Sequence, residues 1–599
     1  MINIYQKGNS GIVVLSRDNE GKRIVKEYQD FRPYMYVQDD KGQFKSLMGQ
    51  TLKKIVYKNP GDVKRERENY PTTWESDVLY PVRFLIDRIP EIEFTPIRKC
   101  YLDIETGDIQ NYREEVLIPK QPILCIGCYD NFTNKCISFL QTEGLENYTC
   151  DIDTSKLPFY TREQLMLKSF IKFIEVLDPD LLIGWNINNF DIPYLINRCR
   201  QLKIPVNNIA HDKHTITIKK FESKLTKRRE LEININGRYC FDLLKAYKYI
   251  KVSGLDSHNL NDVAQLELGH GKTLIQETPG TLWKQGKLNE LLTYNINDVM
   301  LTYELDNELG IIDRFNELRI ETGCRWNELW QTTKIHNVGL LRHAKEWNSG
   351  IILPRRKTRD NTKRKRIKGG KVHTSIPGLH NGVVVFDFVS LYPNIMRTWN
   401  MSPETKLPDG EIHTPNGIRF TNKRIGFIPS YITKILQLRE LYKIKKAEAK
   451  QNKDIKDFKK YDLKQHAIKL KANSLFGDFD NPGFLFFDQD ISASITITGQ
   501  DSNKWVTRVA QDTGYSVIYG DTDSLFIELG NQPIDKLVEE GSKIEQRLNN
   551  SLTEFTTKYG IKTHWLNISF DKIFNPCYFG KKGMEGVKKR YAGIQIWER

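Results

Sequence analysis

Asp103 and Glu105 stand two residues apart in Cys100-Tyr101-Leu102-Asp103-Ile104-Glu105-Thr106, an apolar run interrupted by acids. In a β-strand alternate side chains share a face, so both carboxylates point one way while Leu102 and Ile104 point into a core. Two carboxylates about 7 Å apart along a strand can share hard divalent cations. Alone, the pair is better described as a solvated strand face. A third acid ends Leu182-Ile183-Gly184-Trp185-Asn186-Ile187-Asn188-Asn189-Phe190-Asp191, after an apolar strand and a turn. A fourth closes Tyr294-Asn295-Ile296-Asn297-Asp298, where Tyr294 and Asp298 are four apart and share a helical face. Four such carboxylates can hold two metal ions at the spacing that clamps the attacking and leaving oxygens of a phosphodiester.

A second acidic set lies further along the chain. Asp387 ends the apolar strand of Val385-Phe386-Asp387-Phe388-Val389-Ser390-Leu391-Tyr392-Pro393-Asn394-Ile395. Asp521 and Asp523 lie in Tyr519-Gly520-Asp521-Thr522-Asp523-Ser524, whose β-rich flanks (515–529) predict a hairpin with both acids at its turn. Two Lys-rich segments with helical periodicity, 431–450 and 455–476, surround a polar turn near Asn452-Lys453-Asp454 and predict an antiparallel helical pair. Arg439 and Lys443 are four apart, as are Lys469 and Asn473, so each pair shares a helical face.

Elements must position these groups, and 599 residues are too many for one core. The first 95 or so residues read as β-rich, 98–310 alternate strands and helices, and 313–350 read as helical. A formal charge of +15 suits a polyanionic partner, and its clustering at 354–371 and 434–472 favours nucleic acid over simple solubility. No run of about 18 apolar residues is present, so no membrane partner is expected, and the amino terminus lacks a secretory layout. Nine scattered cysteines fit a reducing interior. The lone CxxC, Cys125 and Cys128, sits in an apolar strand with no second ligand pair, which argues against zinc.

Taken in order, DxE, NxxxFD and YxxxD resemble the three exonuclease motifs of proofreading family B DNA polymerases. DFxSLYPxI around Asp387 and YGDTDS around Asp523 resemble the palm motifs of that family. Lys469-Leu470-Lys471-Ala472-Asn473-Ser474-Leu475-Phe476-Gly477 resembles its fingers motif, and Lys588-Lys589-Arg590-Tyr591 its KKRY grip on primer-template DNA. The resemblance implies a multidomain α/β and α+β chain. Its parts are a β-rich amino-terminal domain at 1–97 (with about 311–370), an RNase H-like exonuclease at 98–310, a palm at 371–430 and 479–599, and helical-hairpin fingers at 431–478. Gly369-Gly370 matches the turn before the palm, and Pro33-Tyr34 resembles the amino-terminal domain of archaeal and phage relatives.

The same resemblance implies roles. Asp103, Glu105, Asp191 and Asp298 would hold the exonuclease metals, with Tyr294 orienting the attacking water. Asp387 and Asp523 would hold the polymerase metals and Asp521 would support them, with two Mg2+ or Mn2+ per site. Arg439, Lys443 and Lys469 would hold the incoming dNTP, with Asn473 nearby. Phe476 replaces the family's tyrosine and so lacks its hydroxyl. Tyr392 would exclude a 2′-hydroxyl. Lys588, Lys589, Arg590 and Tyr591 would grip the duplex. Primer-template DNA, dNTPs and a single-stranded 3′ end are the expected partners, in replication inside a prokaryotic or virus-infected cytoplasm. A sliding clamp is a further expected partner. The family continues past KKRY into a thumb, so the expectation is a split or truncated polymerase completed by a thumb-bearing polypeptide. A protein that is chiefly an exonuclease and a non-catalytic DNA-binding relative are the rival readings, and the retained acids argue against both.

Overall fold

The computed structural model describes residues 1–145, 159–222, 229–251, 257–273, 275–356, 375–582 and 585–599. Gly369-Gly370, Cys150 and positions 357–371 of the basic run lie outside them. The chain forms two compact units. Met1–Pro33, Lys58–Pro60 and Leu79–Asn327 make one; Tyr34–Tyr57, Gly61–Val78 and Glu328–Arg599 make the other. The β-rich amino-terminal stretch is thus divided between them. Asn3–Lys7, Gly11–Arg17 and Arg23–Tyr28 form an antiparallel sheet in the first unit. Tyr34–Gln38, Phe44–Lys45, Thr51–Val56 and Thr73–Trp74 form another in the second. Among the described residues, no helix is long and apolar enough to cross a membrane.

The first unit is built on a six-stranded mixed sheet in the order Phe159–Tyr160, Lys135–Gln141, Ile123–Asp130, Lys99–Thr106, Leu181–Gly184, Tyr239–Asp242. Lys99–Thr106 is central, antiparallel to Ile123–Asp130 and parallel to Leu181–Gly184. Leu102 and Ile104 join Ile126, Phe170, Ile174 and Leu195 in a core on one face. On the other face Leu124, Cys125 and Leu140 meet Leu288, Leu291 and Leu292. A slip of one residue would turn Asp103 and Glu105 into the first core, so the two buried faces enforce the register. Cys125 and Cys128 belong to cores on opposite faces and cannot share a metal ion.

A buried ion cluster ties the amino-terminal strands to this sheet. Arg17 Nε donates to Asp180 Oδ2 at 2.6 Å, the Arg98 amide donates to the same oxygen at 2.8 Å, and Arg23 bonds both Asp178 and Asp180. The Asp180 side chain is fully buried. Removing it leaves the buried Arg17 guanidinium without a carboxylate and Arg23 with Asp178 alone, so Asp180→Ala should destabilise this unit by about 3–5 kcal/mol. Urea unfolding followed by a probe in this unit measures the loss. An unchanged midpoint would show that water replaces the carboxylate at no cost.

The second unit carries an antiparallel sheet in the order Gly378–His380, Ile568–Lys582, Val383–Phe388, Ser524–Glu528, Ser516–Gly520, with Glu585–Glu598 paired to Ile568–Lys582. The continuous apolar run of Val383–Phe388 suits the middle of that sheet. Helices Phe427–Gln451 and Ile455–Asp478 are joined by Asn452-Lys453-Asp454. Asp454 caps the second by accepting from the Asp457 amide at 2.9 Å. Lys446 bonds Asp462 at 2.6 Å and Tyr442 stacks on Tyr461, which holds the pair together along its outer half.

Candidate active sites

Strand pleating puts Asp103 and Glu105 on the face covered by the helix Leu288–Leu309, and that helix brings Asp298 to them. One carboxylate oxygen from each of Asp103, Glu105 and Asp298 lies within 4.8 Å of the others. Asp191 begins the helix Asp191–Gln201, is almost fully buried, and accepts from the Ile104 amide at 3.3 Å. Burial raises the pKa of all four acids. Glu105 is pushed up to about 8 by burial and then by Asp298, and Asp191 to about 7 by burial against the relief of its backbone hydrogen bonds. Asp103 is held well above the carboxylate range by burial and by Glu105, Asp191 and Asp298; Asp298 is raised by burial and eased by Lys272. Such crowding is what a bound cation relieves. The donors fit a hard divalent ion. They are all oxygen, they converge, and Asp298 Oδ1 is buried without a hydrogen-bond partner.

Lys272 and Asn295 also belong to this site, beyond the four acids and Tyr294. Lys272 Nζ bonds Asp298 and lies 3.3 Å from the Tyr294 hydroxyl. Its pKa is raised because the acids outweigh its burial. Lys272 lies in a loop, where periodicity says nothing about direction. Asn295 did carry a signal, since it precedes Asp298 by three residues on one helix.

The palm-like acids sit where a strand meets a hairpin. Asp387 pairs with Ser524 across the sheet, and the Phe388 amide donates to the Asp523 carbonyl at 2.8 Å, so Asp387 lies beside the 521–523 turn. Asp387 opens to solvent at the strand end yet is packed by protein on its other sides. It is pushed up to about 7 by burial and by Asp523 and Asp571, against Lys572 and Lys469. Asp523 is raised by burial, with Asp521 adding to it. Asp571 is an acid the sequence did not flag. A β-bulge opposite Val385/Phe386 drops it out of the pairing, near enough for its charge to raise the pKa of Asp387. Asp521 is tied instead to Lys589 Nζ at 3.4 Å.

The family model for DNA polymerase family B matches residues 328–599, and the model for that family's exonuclease domain matches 77–263. The chain belongs to DNA polymerase family B. It carries the family's exonuclease domain, whose matched span holds Asp103, Glu105 and Asp191 and ends 35 residues before Asp298. The chain is 27% identical to DNA polymerase 1 of Pyrococcus abyssi over 585 residues, covering 90% of this chain and 72% of that one. It is 26% identical to a DNA polymerase of Pyrococcus glycovorans, covering 92% and 73%. It is also 27% identical to the DNA polymerase delta catalytic subunit of Dictyostelium discoideum, covering 89% of this chain and about half (52%) of that subunit.

Around the palm of this polymerase the remaining predicted residues gather unequally. Ser390, at φ 48°, turns the chain sharply from the strand into the helix Leu391–Thr398 and sets Tyr392 in its first turn. The Tyr392 ring packs at a tilt of 32° against Phe476, centroids 4.1 Å apart, and a Cβ at Gly499 would lie 3.0 Å from its Cε1. Arg439 Nη1 donates to Ser390 Oγ at 3.3 Å, and its Nε is buried without a partner. Lys469 and Asn473 are exposed on the second helix of the pair, whereas Lys443 pairs with Glu440 at 3.2 Å. Lys588 falls in the strand Glu585–Glu598. Lys589 and Arg590 are exposed, and Tyr591 packs on Phe526 and Phe579.

Proposed function

We propose that the chain adds deoxynucleotides to a primer 3′-hydroxyl at the Asp387–Asp523 site and removes 3′-terminal nucleotides at the Asp103 cluster, with two Mg2+ or Mn2+ ions at each. The observation that carries the reading is the convergence, within 4.8 Å, of Asp103, Glu105 and Asp298 from a strand and a helix far apart in sequence. When bound, such ions activate the attacking oxygen and neutralise charge on the leaving one.

The protein's own groups do the rest. Asp103, Glu105, Asp191 and Asp298 hold the ions for hydrolysis. The Tyr294 hydroxyl orients the attacking water, and Lys272 adds a fixed positive charge beside Asp298. Asp387 and Asp523 hold the ions for synthesis, and Asp521, fastened to Lys589, steadies the turn between them. Arg439 and Lys469 neutralise the triphosphate, with Lys443 and Asn473 along the same helical faces. Phe476 and Tyr392 form an apolar wall against the base pair and sugar. Lys588, Lys589 and Arg590 grip duplex phosphates, and Tyr591 anchors their strand. The helical pair at 431–478 serves as fingers, 371–430 and 479–599 as palm, 98–310 as exonuclease, and 1–97 with 311–370 as the amino-terminal part.

Primed template with Mg2+ and all four dNTPs should give extended primers, and the same mixture without dNTPs should give shortened ones. Absence of extension would leave only the exonuclease half of the proposal standing. Tyr392→Ala should raise ribonucleotide incorporation at least about tenfold with little loss on dNTPs, because a wall that excludes one hydroxyl is gone. Unchanged sugar discrimination would make Tyr392 an ordinary packing residue.

A further inference from the structure

Asn295 is completely buried between the two metal-ligand elements of the exonuclease site. Its Nδ2 lies 2.8 Å from Asp103 Oδ2 and 3.3 Å from the Asp103 carbonyl oxygen. Both are acceptors, so the amide nitrogen must face them and donate. The Asn295 carbonyl oxygen then points at the neighbouring strand, where it has no hydrogen-bond partner. Directly beneath it is Gly127, the cross-strand partner of Asp103. A Cβ at Gly127 would stand 2.4 Å from Asn295 Oδ1, a distance no side chain tolerates. Gly127 is therefore a notch in the sheet, and it lets the helix Leu288–Leu309 settle deep enough for Asn295 to reach Asp103.

We propose that Asn295, seated in the Gly127 notch, is a positioning residue that fixes the Asp103 carboxylate for metal binding. It holds one carboxylate oxygen, Oδ2, and so fixes the plane of the Asp103 carboxylate beside Glu105 and Asp298. It also sets the depth of the helix that carries Asp298, so one side chain aligns two ligands from different elements. Hydrogen-bond partners of metal ligands fix ligand direction, and their loss commonly weakens metal affinity 10–100-fold. The inference rests on the exonuclease reading of this cluster.

The test is Mn2+ binding followed by electron paramagnetic resonance, in chains whose palm acids Asp387 and Asp523 are replaced by Ala so that the exonuclease site is measured alone. Asn295→Leu keeps the volume and removes the donor; Gly127→Ala fills the notch and lifts the helix. Each should weaken Mn2+ binding about 10–100-fold. In chains with intact palm acids, digestion of single-stranded 3′ ends should need correspondingly more Mn2+ but approach the parental rate at saturation, with primer extension unchanged. A purely structural defect would lower the saturated rate without shifting the Mn2+ dependence. Asp103→Ala serves as reference: if it leaves Mn2+ binding intact, the site itself has been misread, not the role of Asn295. If Asn295→Leu fails to fold, Gly127→Ala decides. Parental Mn2+ affinity in either folded variant overturns the proposal.

Discussion

Replacing Asp103 and Glu105 together by Ala should abolish digestion of single-stranded 3′ ends while primer extension continues. These two residues supply two of the three oxygens that converge within 4.8 Å, and what remains is Asp298 against Lys272, with Asp191 held by the Ile104 amide. With Asp298 neutralised by the lysine ammonium, the two remaining acids are too few to hold two divalent ions. Losing charge stabilisation worth about 4 kcal/mol would slow hydrolysis about 1000-fold. Synthesis is spared because Asp387 and Asp523 belong to the other unit, on a different sheet. A double variant that still trimmed 3′ ends at the parental rate would remove these acids from the reaction.

The reciprocal experiment carries an effect of similar size. Asp387→Ala or Asp523→Ala should eliminate nucleotide addition and leave 3′-end digestion intact. Asp387 is pushed up to about 7 by burial and by Asp523, with Lys469 and Lys572 opposing. Removing either acid leaves those lysines facing one carboxylate fewer and halves the charge available to bridge two cations. Asp571 sits close enough to add to the field at Asp387, but it is paired with Lys572 at 3.1 Å and does not substitute. Single-nucleotide addition, measured beside 3′-end digestion on one preparation, separates the outcomes. Simultaneous loss of both activities would mean a shared site or a collapsed fold, and either ends the two-site account.

Much of this was written in local pattern. The alternation of Lys99–Thr106 separates Asp103 and Glu105 from Leu102 and Ile104 whatever surrounds the strand. Four-residue spacing puts Tyr294 and Asp298 on one helical face, and the turn between Ser516–Gly520 and Ser524–Glu528 presents Asp521 and Asp523. These are short-range consequences of backbone geometry, and a single segment contains all the information they need.

What local pattern could not contain is which segments meet. Lys272 reaches Asp298 from a loop that has no period, and only the packing of the first unit aims it there. Asp571 leaves the pairing beside Asp387 because a bulge breaks the register, and a bulge depends on the partner strand. Lys589 bonds Asp521, and Tyr591 packs into the sheet, because Glu585–Glu598 folds back along Ile568–Lys582. The amino-terminal strands divide between two units because Arg17 and Arg23 find Asp178 and Asp180, while Tyr34–Gln38 pairs with Thr51–Val56 elsewhere. Asn295 touches Asp103 only because Gly127, in a third segment, has no side chain to keep them apart. The chain alone thus determined which side chains share a strand face, a helical face or a turn. Tertiary packing decided which of those faces meet, because contacts between distant segments depend on the shape and charge of both partners.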